Sequence, residues 1–303
     1  MKTPARIVLL GSGSNYNKHI SLLSRLVDGG EIEICGVTSD APHITSIDGY
    51  RFIRKEDLKE LPFDFIVNYT GMDILSAKND TILNGIPLER FVNRNVIDLP
   101  GFSFCKYSQL VQSKVSIISN NCWGGVTYNY FGLQFLSPFI NMFVDDSEYI
   151  RLLSTSFRNA ILNQDLVFED VGYNPALDIK YPIYSLNGTR LYMNHYRDFE
   201  YAKTKWRERI ARINWNNLFV EMYTESEKTA KEFDKLPYDK KICFVPFETD
   251  IPSCMTIQPY EKYFKGKLEF WEIVNRMANG KFIYYDPWEL LLNGRKCYRI
   301  TMR

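Results

Sequence analysis

Apolar positions along the N-terminal third come in short blocks that alternate between a strand-like and a helix-like period. Arg6–Leu10 carries a continuous apolar block that stops at Gly11, which predicts a buried strand. Over Asn17–Val27 the residues Ile20, Leu23, Leu26 and Val27 fall on one helical face, and Ile32–Val37 returns to strand. Asp57–Leu61 reads as a short helix, Asp64–Tyr69 as another buried strand, and Ile74–Asn84 as a helix stopped by Gly85. Strand and helix in succession imply a parallel sheet covered on both faces. The turn cluster Asp98-Leu99-Pro100-Gly101 puts a domain boundary just beyond it.

The remainder alternates too. Val115–Ser119 predicts a buried strand, Asn120–Gly125 a turn, and a helix begins at about Thr127. Glu148–Asn163 reads as one helix. Tyr181–Leu186 and Arg190–His195 flank Asn187-Gly188, a hairpin signal. Helix Phe199–Ile213, strand Leu218–Tyr223, helix Ser226–Leu236, strand Ile242–Phe247, helix Leu268–Asn279 and strand Phe282–Tyr285 follow. The expected fold class is α/β. A Rossmann-like domain with a parallel sheet occupies 1–105, and a larger three-layer α/β domain with a mixed sheet occupies 106–303.

Composition narrows the function. The 303 residues include 37 Lys and Arg against 36 Asp and Glu, a balance that excludes binding of nucleic acid through bulk charge. Val115–Val144 holds no charged residue and is long enough to cross a bilayer, but its asparagines, Gly124, Gly125 and Pro138 argue for a core strand leading into a functional turn. No transmembrane segment is expected. The six cysteines form no CxxC pair and no metal-ligand spacing, which points to reduced thiols, a cytoplasmic location and no metal. Charge is uneven locally: Lys203, Lys205, Arg207, Arg209 and Arg212 face only Glu200 and Glu208, either a solvated helix face or a site for a small anion.

Two glycine-bearing turns carry the candidate chemistry. Gly11-Ser12-Gly13-Ser14 stands between the first strand and first helix, where a dinucleotide-binding turn stands, and a helix N-terminus behind it favours phosphate. Tyr16 occupies the place of the third glycine, and Asp40 lies further along than a ribose-binding carboxylate usually does. The alternatives are a nucleotide or nucleotide-sugar ligand, NAD, or a turn that is simply tight. The pattern IEICGVTSD…GYRF…FDFIVNYTG resembles small Rossmann-like domains attached to bacterial sugar-modifying enzymes.

The second turn is Ser116–Gly125, SIISNNCWGG, a buried strand running into a helix. A cysteine there is placed as a strand-to-helix nucleophile, with the helix N-terminus to lower its pKa, Gly124 and Gly125 to let substrate approach, and Asn120 and Asn121 to donate to an oxyanion. Trp123 is a candidate apolar wall. The other reading makes Cys122 a small buried hydrophobe. His19 and His43 fall in the first domain, so His195 is the one imidazole the second domain offers as base. Asp170, Asp178 and Asp198 are candidate orienting acids.

SNNCWGG, then Ser137-Pro138-Phe139, Tyr181-Pro182, His195-Tyr196, Lys205-Trp206, Arg209, Arg212-Ile213-Asn214 and Asn217-Leu218 resemble, in order and spacing, the motifs of a bacterial family of unknown function whose members are commonly labelled exopolysaccharide biosynthesis proteins. The resemblance covers about residues 110–250 and implies a cytosolic role in making or decorating surface polysaccharide. It supplies no reaction. Trp206, Arg209 and Arg212, at i, i+3 and i+6, would then offer a ring and two guanidiniums to a phosphate-bearing donor. The expectation is a transferase using Cys122 and His195 on a phosphate-bearing sugar or acyl donor, the ligand being a small anion or activated sugar. A non-catalytic nucleotide-sugar or glycan-binding accessory protein is the alternative, and an NAD-dependent oxidoreductase a further one.

Overall fold

The computed structural model describes residues 3–40, 45–72, 76–77, 83, 85–154, 157–281 and 284–298. His43, most of the helix expected over Ile74–Asn84, and two residues of the strand expected over Phe282–Tyr285 lie outside them. The chain is mixed α/β and divides into two compact units, 1–108 with 129–134, and 109–128 with 135–303.

In the first unit, β1 (Ala5–Leu10), β2 (Ile32–Thr38), β5 (Phe65–Asn68) and β6 (Phe91–Asn93) form a parallel sheet in the order β2-β1-β5-β6. Ile7 to Leu10 are all buried, as a strand covered on both faces requires. Helix α1 (Ser14–Asp28) follows β1, and the two-residue strands β3 (Ser46–Ile47) and β4 (Tyr50–Arg51) pair antiparallel. The short helix α2 (Arg94–Ile97) follows β6. Segment 129–134 joins this unit through side chains: the Tyr107 hydroxyl donates to the carbonyls of Phe91 and Phe131, and Asn93 Nδ2 donates to the Tyr130 carbonyl.

Helix α3 (Phe104–Ser113) precedes β7 (Ser116–Ser119), and helix α4 (Trp123–Phe131) follows it. In the second unit β7 pairs with β11 (Leu218–Tyr223), which pairs with β12 (Lys241–Val245), which pairs with β13 (Cys254–Thr256), all parallel. The strands β8 (Val167–Asn174), β9 (Ile179–Leu186) and β10 (Thr189–Tyr192) make a separate antiparallel sheet. The single mixed sheet expected from the sequence is therefore replaced by two sheets of opposite kind. Asn187 (φ 53°) and Gly188 (φ 71°) supply the left-handed turn that forces β9 and β10 antiparallel, while the helical crossovers keep β7, β11 and β12 parallel.

Within the helix expected over Glu148–Asn163, the described residues form α5 (Asp146–Ser154) and α6 (Phe157–Asn163), and 155–156 lie outside them. Both bury their apolar positions in one core with Val220, Met222 and Trp206. Helices α7 (Phe199–Ile210), α8 (Glu227–Asp234), α9 (Phe270–Ala278) and α10 (Pro287–Asn293) complete the unit. Among the described residues no helix is long and apolar enough to cross a membrane, and no group of three or more His, Cys, Asp or Glu side chains is placed to hold a metal ion.

Candidate functional site

All four residues of β7 are buried, and the chain leaves its end through Asn120, Asn121 and Cys122 into α4. Cys122 is the N-cap, its carbonyl accepting from the Val126 N–H at 2.9 Å. Asn121 Oδ1 accepts from the Trp123 N–H at 2.6 Å, one of the donors a helix start leaves open. The helix therefore begins at Trp123, earlier than the expected Thr127, and the two glycines lie inside its first turn. Their role also changes. A Cβ on Gly124 would sit 2.6 Å from Ser119 Oγ, and one on Gly125 3.4 Å from Ile140, so both are buried where α4 closes onto its neighbours, not where a substrate could approach.

Trp123 is likewise not a pocket wall. It is fully buried, stacked on Phe219 with ring centroids 5.9 Å apart and tilted against Phe244. A whole indole removed from water favours the core over the surface by more than a few hydrogen bonds can offset.

Cys122 Sγ lies 3.4 Å from His195 Nε2. His195 comes from a turn between β10 and α7, fixed by the Asn194 N–H on the Tyr192 carbonyl and the Tyr196 N–H on the Met193 carbonyl, so it stands beyond the strand end expected for it. None of the candidate acids orients its ring: Asp198 caps α7 at the Tyr201 N–H, Asp178 accepts from the Tyr173 hydroxyl, and Asp170 accepts from the Val171 N–H.

Electrostatics make the pair neutral at rest. Burial, with a smaller contribution from the Glu221 charge, pushes the Cys122 thiol up to about 11, and burial holds His195 below its usual value. The contact therefore joins a protonated thiol to a neutral imidazole, distinct from a preformed thiolate–imidazolium pair.

Behind the cysteine runs a polar chain that sequence reading missed. Asn121 Nδ2 lies 3.1 and 3.2 Å from the two carboxyl oxygens of Glu221, on β11, and 2.8 Å from Asn120 Oδ1. Asn120 Nδ2 donates to Asp146 at 3.0 Å, and the Thr224 hydroxyl donates to the same carboxyl at 2.7 Å. Asn120 and Asn121 are thus buried and engaged with carboxyls rather than open to an oxyanion. Glu221 was legible in principle, being the lone charge in the strand LFVEMY, where a parallel sheet buries both faces. Next to this chain opens a cleft of about 490 Å³ lined by Asn120, Phe143, Asp145, Asp146, Tyr223 and Thr229, with no lysine or arginine in its lining.

The basic helix does not present the expected anion face. Trp206 is buried edge-on to Phe139, and Arg209, 7% exposed, turns inward to donate to the Tyr196 hydroxyl and lie over Phe135. Arg212 pairs with Glu208, which also accepts from Lys205. Trp206 and Arg209 share α7 but face inward, and Arg212 lies beyond its last residue, Ile210.

In the first unit Gly11 (φ 99°) lies where a Cβ would press on the Thr70 backbone at 3.0 Å, so a tight approach of β1 to the chain after β5 requires this glycine. Gly13 is the N-cap of α1 with no side-chain cap, Ser12 and Ser14 flank it, and Asp40 ion-pairs with Lys55 at 2.5 Å. Tyr16 is buried, its hydroxyl donating to Asp48.

Residues 93–287 match the model of a family described as a domain of unknown function (DUF1919), well over half of the chain. The chain belongs to the DUF1919 family. Cys122, His195, Glu221 and the acid-lined cleft all lie inside the DUF1919 region. Residues 3–78, with the first glycine turn, match a second model described as C2185-like, N-terminal. An uncharacterized protein of Haemophilus influenzae is 28% identical over 159 residues, which cover 51% of this chain and 73% of that protein.

Proposed function

We propose that the chain is a thiol-dependent transferase in which Cys122 is the nucleophile and His195 the general base. The observation that carries the reading is the 3.4 Å contact between Cys122 Sγ and His195 Nε2 at the N-terminus of α4. On attack the thiol proton passes to His195 Nε2 while sulfur bonds to the donor's carbonyl carbon; the imidazolium then protonates the leaving group. In the second half an acceptor hydroxyl or amine gives its proton to His195 and displaces the thiol, which is reprotonated. The helix N-terminus behind Cys122 favours the negative charge that develops on the carbonyl oxygen.

Arg209 turned inward to Tyr196 and Arg212 paired with Glu208 support an activated acyl donor over a phosphate-bearing one, because the guanidiniums expected to hold phosphate are engaged elsewhere. A role in assembling or decorating surface polysaccharide follows from the motif series alone. The Rossmann-like first domain (1–105) and the three-layer second domain (106–303) remain part of this reading, and the first turn, taken by itself, is a candidate for binding a nucleotide.

The test is intact-mass analysis after exposure to p-nitrophenyl acetate. One acetyl group mapped to Cys122, absent in Cys122→Ala, is expected; equal labelling of the variant would remove the nucleophile. Micromolar UDP-sugar binding unchanged by Cys122→Ala, with no acyl adduct, would favour the accessory-protein reading instead.

A further inference from the structure

Glu221 is fully buried in an inner strand of a parallel sheet, and burying a carboxyl is costly unless a cation meets it. The groups that face it are Ser119 from β7, Asn121 and Cys122 from the turn after it, Tyr149 from α5, Cys243 from β12 and Tyr223 along β11; none is a cation. A glutamine or an apolar residue would fill the position at lower cost. The carboxyl instead reaches the reactive turn through one amide, Asn121, whose other end takes the Trp123 N–H and so fixes where α4 starts.

We propose that Glu221 is the positioning residue of the Cys122 centre: through Asn121 it sets the turn that aims the thiol at His195, and its own proton determines how readily that thiol ionises. The inference rests on the reading of Cys122 as nucleophile. Burial pushes the Glu221 carboxyl up to about 8, against the opposing pull of the Asn121 amide and the Ser119 hydroxyl, so it carries its proton at neutral pH. Above that pH the anion stands beside the sulfur and opposes a second negative charge.

Iodoacetamide labelling of Cys122, followed by peptide mass between pH 6 and 11, tests this. Removing the like charge lets the thiol ionise at lower pH, so Glu221→Gln should label several-fold faster at pH 9 while matching the wild type at pH 6. Superimposable profiles would overturn the proposal. Should Glu221→Gln not fold, the wild type carries the test. Its infrared band for a protonated carboxyl should disappear near pH 8, in step with a flattening of the Cys122 labelling curve; a band gone by pH 6 would overturn the proposal. The readout is alkylation, not acyl transfer. A failure of the nucleophile therefore shows as acetylation surviving Cys122→Ala, and a failure of Glu221 as unchanged profiles.

Discussion

The turns after β1 and after β7 look alike in sequence, each a buried strand, a polar glycine-bearing stretch and a helix, yet they are built differently. After β1 the glycines serve the backbone: Gly11 adopts φ 99° and Gly13 meets nothing within 4 Å. After β7 the glycines serve packing, and the polar residues run inward as a chain from Cys122 through Asn121 to a buried acid. The difference teaches that glycine at a strand-to-helix turn says little about ligands. The partners of its polar neighbours say more.

Several experiments break or sharpen this contrast. The largest effect belongs to the buried acid. In the unfolded chain the Glu221 carboxyl titrates near 4.5 and in the fold near 8. The stability tied to its proton is therefore complete below about 4.5 and is lost as pH rises through 8. Urea unfolding should show a loss on the order of 5 kcal/mol across that window, flattened in Glu221→Gln; an equal slope in the variant would count against the assignment.

Gly124→Ala comes next, because the added methyl meets Ser119 and Ile117. A cost of about 2 kcal/mol is expected. Gly13→Ala should cost under about 1 kcal/mol, the loss of a glycine N-cap in open space. Comparable costs by thermal unfolding would erase the distinction between the turns. The smallest effect belongs to Arg212→Ala: with its guanidinium paired to Glu208, the substitution should leave acylation of Cys122 unchanged. A loss of acylation there would restore the anion face.

Much of the architecture was legible because burial leaves a period. Strand Leu218–Tyr223 and the Asn187-Gly188 hairpin follow directly from their residues. Strand β8 was not, since Val167, Phe168, Val171 and Tyr173 are exposed on an edge and carry no alternation tied to the core. At the site, the pairing of Cys122 with His195 could be anticipated by counting imidazoles. The inward turn of Trp123, Trp206 and Arg209 could not, because a residue type gives its chemistry but not the side of the chain on which packing leaves it. Glu221 lay in plain view as a charge within a doubly buried strand.

The central claim is that His195 takes the proton of Cys122 during attack. The most direct measurement is the rate of Cys122 acetylation by p-nitrophenyl acetate against pH, in the wild type and in His195→Ala. The wild-type rate should rise on an acid limb set by neutral His195, with a midpoint below 6.5 because burial disfavours the imidazolium. The variant should lose that limb and react about a hundredfold more slowly at pH 7, as expected for loss of a general base. Equal rates and the same profile in both proteins would contradict the account.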